Sequence, residues 1–270
     1  MKIVMVTYAG GDPIWRLAAH RLTRQSRKLS RFSAIETYTF KKIRHLISEQ
    51  QADFIKAHKQ GAGLWLWKPI IMLDVLSKYP DTDAILYLDS GCEVNSTDAA
   101  QKIFDDYVSQ LEKHNAVVFQ MNLKEKFWSK SALIADLDSN IAAQETGQFL
   151  GGIHLMRASF ARTFCQKWLS EMERNNFANL KGDLNLEILG FKAHRHDQSI
   201  FSLLMKKEEK IFTIQSENEV YFQPNWKLHT DKPIWTSRRK SLIPTLDEKI
   251  SSRLLLILER IISKLYRLIS

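Results

Sequence analysis

A carboxylate stands at the end of a short apolar run. Residues 84–88, AILYL, have the composition of a strand that is buried on both faces, and Asp89 follows at once. Ser90 and Gly91 come next, and such small residues let the chain turn. Two interpretations fit this pattern: Asp89 initiates a turn, or its charge meets a charged ligand that approaches the backbone closely.

A second carboxylate, Asp197, opens the apolar stretch DQSIFSLL together with Gln198, and His196 precedes it. An Asp at a helix start commonly caps the helix, because its side chain accepts hydrogen bonds from free backbone amides. The alternative is that Asp197 and Gln198 face a substrate, in which case Asp197 is a candidate general base.

The elements around these residues alternate between strands and helices. Apolar runs near residues 2–8, 84–88, 116–122, 151–159 and 211–216 predict strands, and helical periodicity lies between them. This order predicts an α/β fold with a mixed, mainly parallel sheet flanked by helices. Ligands of such sheets bind outside the carboxyl ends of the strands. Gly10, Asp89 and the residues around Gln120 should therefore converge.

The composition limits the class of protein. The chain has 270 residues, of which 44% are hydrophobic, and a net charge of +9. No nucleic-acid-binding module accompanies this charge, so we predict a phosphorylated substrate or an anionic membrane surface as partner, and no nucleic acid. Cys92 and Cys165 match no metal-ligand spacing, which indicates a reduced, cytosolic setting.

The segment 61–91, GAGLWLWKPIIMLDVLSKYPDTDAILYLDSG, resembles the nucleotide-sugar-binding half of GT-A-fold glycosyltransferases. The order of glycines, aromatic residues, Lys68, helix, strand and Asp89 is similar to that of the glycogenin-like and bacterial lipopolysaccharide galactosyltransferase group and of related polysaccharide-locus transferases. Three later motifs follow in the same order: FLGGIHLMR at 149–157, HDQSIFSLL at 196–204 and HTDKPIW at 229–235. The resemblance spans about residues 2–235.

The resemblance implies a GT-A-like (Rossmann-like) fold and transfer of a sugar from a nucleotide diphosphate, UDP in most relatives, to a glycan or lipid-linked acceptor. The implied pathway is bacterial surface polysaccharide synthesis. The donor-binding residues that it implies are Thr7, Tyr8, Ala9, Lys68, Asp89, Ser90, Gly151, Gly152 and Lys232. The implied acceptor contacts are Gln148 and His196, and the implied catalytic residues are Asp197 and Gln198. If the reaction inverts, Asp197 is the base; if it retains, Gln198 lies opposite the leaving group.

The resemblance also implies a divalent cation, Mn²⁺ or Mg²⁺, which neutralises the departing diphosphate. The ligands that it implies are Asp89 and His229. Glu93 is a candidate third ligand, directly or through water; the alternative is that Asp89, His229 and the phosphates of the donor hold the ion. The chain departs from the family pattern here, because Gly91 stands where the second acid of the Asp-x-Asp motif is expected. This substitution leaves metal dependence open.

The last residues predict a separate element. Apolar side chains recur at helical spacing between 250 and 269, with basic side chains off that face. We expect a GT-A-like catalytic domain at 1–240 and a basic amphipathic helical tail at 241–270. Residues 246–270 would lie on an anionic membrane surface, or pack on the domain or a second copy. No run reaches the roughly 20 apolar residues of a membrane-spanning helix, so we expect a cytoplasmic protein at the inner face of the membrane.

Two other functions stay open. A sugar nucleotidyltransferase would carry a glycine-rich, basic loop after the first strand, and TYAGGDPIWR at 7–16 matches such a loop poorly. A non-catalytic, membrane-associated protein that binds nucleotide sugars would tolerate Gly91 in the metal motif.

Overall fold

The computed structural model describes residues 1–12, 14–182, 187–215, 230–238, 240 and 261. The strands of this part are β1 (Ile3–Tyr8), β2 (Ala34–Tyr38), β3 (Ala84–Leu88), β4 (Glu93–Val94), β5 (Ala116–Lys124), β6 (Gly147–Phe149), β7 (Ile153–Arg157), β8 (Ile211–Gln215) and β9 (Ile234–Trp235). The helices are α1 (Ile14–Leu29), α2 (Phe40–Ile43), α3 (Glu49–Ala57), α4 (Gly61–Leu64), α5 (Trp67–Lys78), α6 (Asp98–Gln110), α7 (Glu125–Trp128), α8 (Ser131–Asp136), α9 (Ile141–Glu145), α10 (Ala158–Phe177) and α11 (Asp197–Met205).

Among the described residues, seven strands form one mixed sheet. The order is β2-β1-β3-β7-β5-β6, and β8 pairs with residues 116–120 of β5. β1 runs parallel to β2 and β3, and β8 runs parallel to β5, whereas β7 is antiparallel to both β3 and β5. Five strands therefore share one direction, which confirms the predicted mixed, mainly parallel sheet.

Helices cover both faces of the sheet, which explains the unbroken apolar runs of its central strands. Side chains of a strand alternate between the two faces. Val4 and Val6 of β1 join a core with α5, α10 and α11, whereas Ile3 and Met5 join a second core with α1 and α6. Every residue of β1 and of β3 is buried.

One local prediction is confirmed, because strand β3 occupies the predicted residues. The hydroxyl of Thr97 caps α6 by accepting a hydrogen bond from the Ala100 amide at 3.4 Å. The prediction that residues around Gln120 lie at a strand end beside Gly10 and Asp89 was wrong. Strand β5 continues to Lys124, so Gln120 lies inside the strand, opposite Phe149.

The tail lies almost wholly outside the described residues, which include only Ile261 of the segment 241–270. The two-domain division therefore stays a prediction. Within the part of the chain that the structure describes, no helix is both long enough and apolar enough to cross a bilayer.

Candidate active site

A cleft of about 730 Å³ opens at the carboxyl edge of β1 and β3. Strand β7 is antiparallel to β3, so its first end, with Gly151 and Gly152, lies at the same edge. The Asp89 amide donates a hydrogen bond to the Gly152 carbonyl at 2.9 Å. The sheet thus brings Asp89 beside the two glycines, and the start of α11 closes the cleft with Asp197 and Gln198.

Lys68 is the centre of this site. Its ammonium lies 2.7 Å from Oδ2 of Asp197 and 3.4 Å from Oδ1 of Asp89, and it donates a hydrogen bond to the Gly151 carbonyl at 2.6 Å. The side chain is only 3% exposed, and its Nζ also lies 5.3 Å from the centre of the Tyr87 ring. A buried cation with two carboxylates and a carbonyl around it holds three elements together: α5, β3 and α11.

The two carboxylates differ in their surroundings. Asp197 is 4% exposed, and this burial raises its pKa to about 6 even though the neighbouring Lys68 acts to lower it. Burial also acts to lower the pKa of Lys68, but the charges of Asp197 and Asp89 outweigh it and leave that pKa above its usual value. Asp89 is more open, at 39% exposed, and it faces the cleft.

The turn that carries Asp89 is fixed by side chains from other elements. The Tyr87 hydroxyl donates to Oδ1 of Asp89. The buried Arg21 of α1 donates to the carbonyls of Ser90 and Cys92, at 3.3 and 2.8 Å. Asp89 is therefore more than a turn-initiating residue, because its carboxylate is oriented toward the cleft by a turn that other elements hold in place.

Gln198 is positioned by a buried polar network. Its Oε1 accepts a hydrogen bond from the Gly151 amide at 3.1 Å, and its Nε2 donates to Oε1 of Gln148 at 2.7 Å. Gln148 donates in turn to Glu125, Ser129 and Ser199. These bonds fix which way the Gln198 amide points, and Gln198 lines the cleft.

Strained backbone borders the cleft on two sides. Ala62, Leu64 and Trp65 have positive φ values of 50°, 51° and 61° just before Lys68. His196 has φ 50° and ψ −120° at the N-cap position of α11. Such conformations are costly outside glycine and concentrate at functional sites. Helix α11 begins at Asp197, with His196 at its N-cap position, and the Asp197 carboxylate pairs with Lys68.

The structure brings most of the sequence-predicted residues to the cleft. Those that line it are Tyr8, Lys68, Asp89, Ser90, Gly151, Gly152, His196, Asp197 and Gln198. Trp65 and Trp67 line it as well, and the buried Trp67 stacks on Tyr8 with 3.8 Å between ring centres.

Other predicted residues lie elsewhere. Thr7 and Ala9 are buried behind Tyr8, and Gln148 is 0% exposed behind Gln198, so none of the three lines the cleft. Lys232 also lies off the cleft wall, with its ammonium 3.2 Å from Asp231. The predicted ligand His229 lies outside the described residues.

Glu93 does not reach the cleft either, although it follows Asp89 closely in sequence. After the turn the chain extends into β4, which pairs with β9 and sets Glu93 opposite Trp235. The residue is only 2% exposed. Among the residues that the structure describes, no three His, Cys, Asp or Glu side chains lie close enough together to hold a metal ion.

Sequence reasoning missed the basic residues of the cleft. Arg195, Arg238 and Lys240 all line it, and two of them lie against tryptophans: Arg195 over Trp128 at 5.3 Å and Lys240 over Trp15 at 5.1 Å. Arg195 stands two residues before Asp197, and the basic cluster at 236–240 was visible in the sequence. No pattern in the sequence indicated that both segments meet near Asp89.

Solved structures with a similar architecture include three glycosyltransferases. A glycosyltransferase involved in the glycosylation of the major capsid of PBCV-1 matches with a TM-score of 0.51 and 10% identity, over 87% of this chain and 93% of its own. Mouse xyloside xylosyltransferase 1 gives 0.46 and 10%, over 90% of this chain and 100% of its own. The galactosyltransferase LgtC, in complex with donor and acceptor sugar analogues, gives 0.44 and 14%, over 86% of each chain.

No protein-family model matches the chain, and no curated protein matches it in sequence. The likeness to the PBCV-1 protein shows a shared fold, and this confirms the GT-A-like fold that the sequence predicts.

The raised pKa of Asp197 predicts a pH dependence of stability. Because folding raises this pKa from 3.8 to about 6, the folded protein binds more protons than the unfolded chain between these values. The free energy of unfolding should therefore fall as the pH rises through this window, by at most about 3 kcal/mol for this group. In urea unfolding, Asp197→Asn should remove this part of the slope. An identical slope in the variant would contradict the assignment.

Proposed function

We propose that the protein is a glycosyltransferase that moves a sugar from a nucleotide diphosphate to an acceptor hydroxyl in this cleft. The observation that carries the proposal is the Lys68 ammonium between Asp89 and Asp197, at the carboxyl edge of the sheet and beside two glycines. Ligands of open α/β sheets bind at this edge. The fold shared with the PBCV-1 glycosyltransferase supports the same class of reaction.

The arrangement suits a sugar bound above charged groups. Carboxylates accept hydrogen bonds from sugar hydroxyls, and Asp89 and Asp197 present oxygens on two sides of Lys68. Gly151 and Gly152 leave room for the sugar to approach the backbone. The fixed amide of Gln198 beside Gly151 lies where it can contact the reacting carbon. The bond between the sugar carbon and the diphosphate oxygen breaks as the acceptor oxygen bonds to the same carbon; the acceptor proton passes to Asp197 if the reaction inverts, or to the departing diphosphate if it retains.

The finer assignments extend this proposal. UDP is the proposed nucleotide, because Thr7, Tyr8 and Ala9 at the end of β1 resemble the segment that holds uracil and ribose in the family, and Tyr8 lines the cleft. The proposed acceptor is a glycan or lipid-linked saccharide of a bacterial surface polysaccharide. The proposed location is the cytoplasmic face of the membrane, with residues 246–270 on the anionic surface, which fits the net charge of +9.

A divalent cation does not fit the described residues of this site well. Asp89 supplies one carboxylate that faces the cleft, Asp197 is tied to Lys68, and Glu93 is buried elsewhere. Cations such as Mg²⁺ and Mn²⁺ prefer several oxygen ligands. The proposed reaction therefore involves no metal ion.

One experiment tests the proposed function. The full chain is incubated with a panel of nucleotide sugars and saccharide acceptors, with and without Mn²⁺, while nucleoside diphosphate release and thermal stabilisation are followed. We expect release from one donor, most strongly a UDP-sugar. Stabilisation without release would indicate a binding protein. Pyrophosphate release from a sugar phosphate and a nucleoside triphosphate would indicate a nucleotidyltransferase. Either result would contradict the proposal.

Gly152 gives a second test. A Cβ at this position would lie 2.9 Å from Oδ2 of Asp89, so Gly152→Ala should displace the carboxylate. We expect kcat/KM for the donor to fall by roughly 10- to 100-fold with little change in Tm, because the partly exposed Asp89 side chain can rotate away. The control is Ala99→Ser, a change of similar size at an exposed position of α6 that does not line the cleft. Equal activity of the two variants would argue against a role for Asp89.

A further inference from the structure

We propose that Arg195, Arg238 and Lys240 bind the diphosphate of the donor, so that nucleotide binding in this cleft requires no divalent cation. The inference rests on the proposed function, because it names the groups that hold the donor. Gly91, two residues after Asp89, occupies the position where the resemblance places a second metal-binding acid.

A side chain at position 91 would be crowded. A Cβ built on Gly91 would lie 3.0 Å from Cα of Arg238 and 3.4 Å from the ring of Trp15. The neighbouring Ser237 donates a hydrogen bond to the Gly91 carbonyl at 3.1 Å. The segment that carries Arg238 therefore packs directly on the turn after Asp89. An acidic side chain at position 91 would have to displace this backbone by a few tenths of an ångström.

Lys68, Asp89 and Asp197 form the floor of the cleft, and the charge of Lys68 makes this floor unsuitable for a metal cation. Its ammonium already lies between Asp89 and Asp197, within 3.4 and 2.7 Å of their oxygens. A divalent ion placed between these carboxylates would be repelled by the ammonium at short range. The floor therefore combines two negative charges with a fixed positive charge, which suits sugar hydroxyls better than a metal ion.

The cleft gathers cations above this floor. Five cationic side chains line its described part, Lys59, Lys68, Arg195, Arg238 and Lys240, against three carboxylates, Asp12, Asp89 and Asp197. The described lining of the cleft therefore carries two more positively charged than negatively charged side chains. A nucleoside diphosphate brings the negative charge that this excess attracts.

Arg195 and Arg238 lie close enough for their charges to interact. Burial lowers the pKa of Arg195, and the charge of Arg238 lowers it further. The Arg195 amide donates to the Trp128 carbonyl at 3.2 Å and to Oγ of Ser199 at 3.1 Å, which anchors its backbone. Both arginines line the cleft, and a guanidinium group can donate two parallel hydrogen bonds to phosphate oxygens.

UDP binding to the full chain tests this inference. Its dissociation constant is measured by calorimetry in EDTA and in MnCl₂, for the wild type, Arg238→Gln and Arg24→Gln. The control residue, Arg24, is exposed on α1 and does not line the cleft. We expect the wild-type values in EDTA and MnCl₂ to agree within about threefold. We expect Arg238→Gln to weaken binding in EDTA at least about tenfold, and Arg24→Gln to leave it unchanged.

Two results would overturn the inference, and they differ in what they say of the proposed function. Binding that requires Mn²⁺ would show that a metal holds the diphosphate, while the glycosyltransferase proposal would stand. Binding in EDTA that Arg238→Gln leaves intact would place the diphosphate elsewhere. Absence of UDP binding in both buffers, together with failure of every nucleotide sugar to bind, would instead reject the proposed function itself.

Discussion

Replacing Lys68 by Met should lower the free energy of unfolding at pH 7 by about 3–5 kcal/mol, the usual cost of leaving a buried charge without its partner. The substitution keeps the volume of the side chain but removes the positive charge 2.7 Å from the buried Asp197. It also removes the donor to the Gly151 carbonyl. Urea unfolding followed by circular dichroism measures the effect.

Two further variants make the Lys68 test specific. Lys78→Met, on the same helix, removes a lysine that is about half exposed and paired with Glu36, and it should cost less than about 1 kcal/mol. The double variant Lys68→Met/Asp197→Asn should recover part of the loss, because the uncompensated carboxylate is gone. Losses of equal size in Lys68→Met and Lys78→Met, or no recovery in the double variant, would contradict the buried ion pair.

Replacing Asp89 by Asn should reduce the rate of nucleoside diphosphate release by about 10²- to 10³-fold. The amide keeps the shape of the carboxylate but removes the negative charge that, in the proposed complex, accepts hydrogen bonds from the sugar and balances Lys68. Because the Asp89 side chain is 39% exposed, the variant should stay folded, with a loss of stability well below that of Lys68→Met. Steady-state kinetics and a melting curve separate the two effects.

The control for Asp89 is Asp136→Asn, which changes an exposed carboxylate of α8 away from the cleft. It should have wild-type kinetics. Turnover of Asp89→Asn at the wild-type rate would mean that the reaction takes place elsewhere on the protein.

Features that depend on local sequence could be predicted. Strand β3 was predicted from its unbroken apolar run. The turn at Asp89 followed from Ser90 and Gly91. The resemblance then supplied Lys68 and Asp197 as members of one site.

Features that depend on pairing between distant segments could not. Glu93 looked like a metal ligand because it is near Asp89 in sequence, but pairing of β4 with β9 carries it away from the cleft. Gln148 was predicted to contact the acceptor, whereas its buried amide donates hydrogen bonds to Glu125 and Ser199. The packing of Arg238 on Gly91 joins residues far apart in the chain, and no periodicity encodes such a contact.

Hydrogen–deuterium exchange with bound UDP-sugar tests the central claim most directly, because it locates the ligand without altering the protein. If the donor binds around Lys68, backbone amides of the segments 59–68, 89–92 and 193–198 should exchange more slowly at saturating donor than in its absence. Peptides from α6, on the other face of the sheet, should be unaffected. Protection confined to segments outside the cleft would contradict the account.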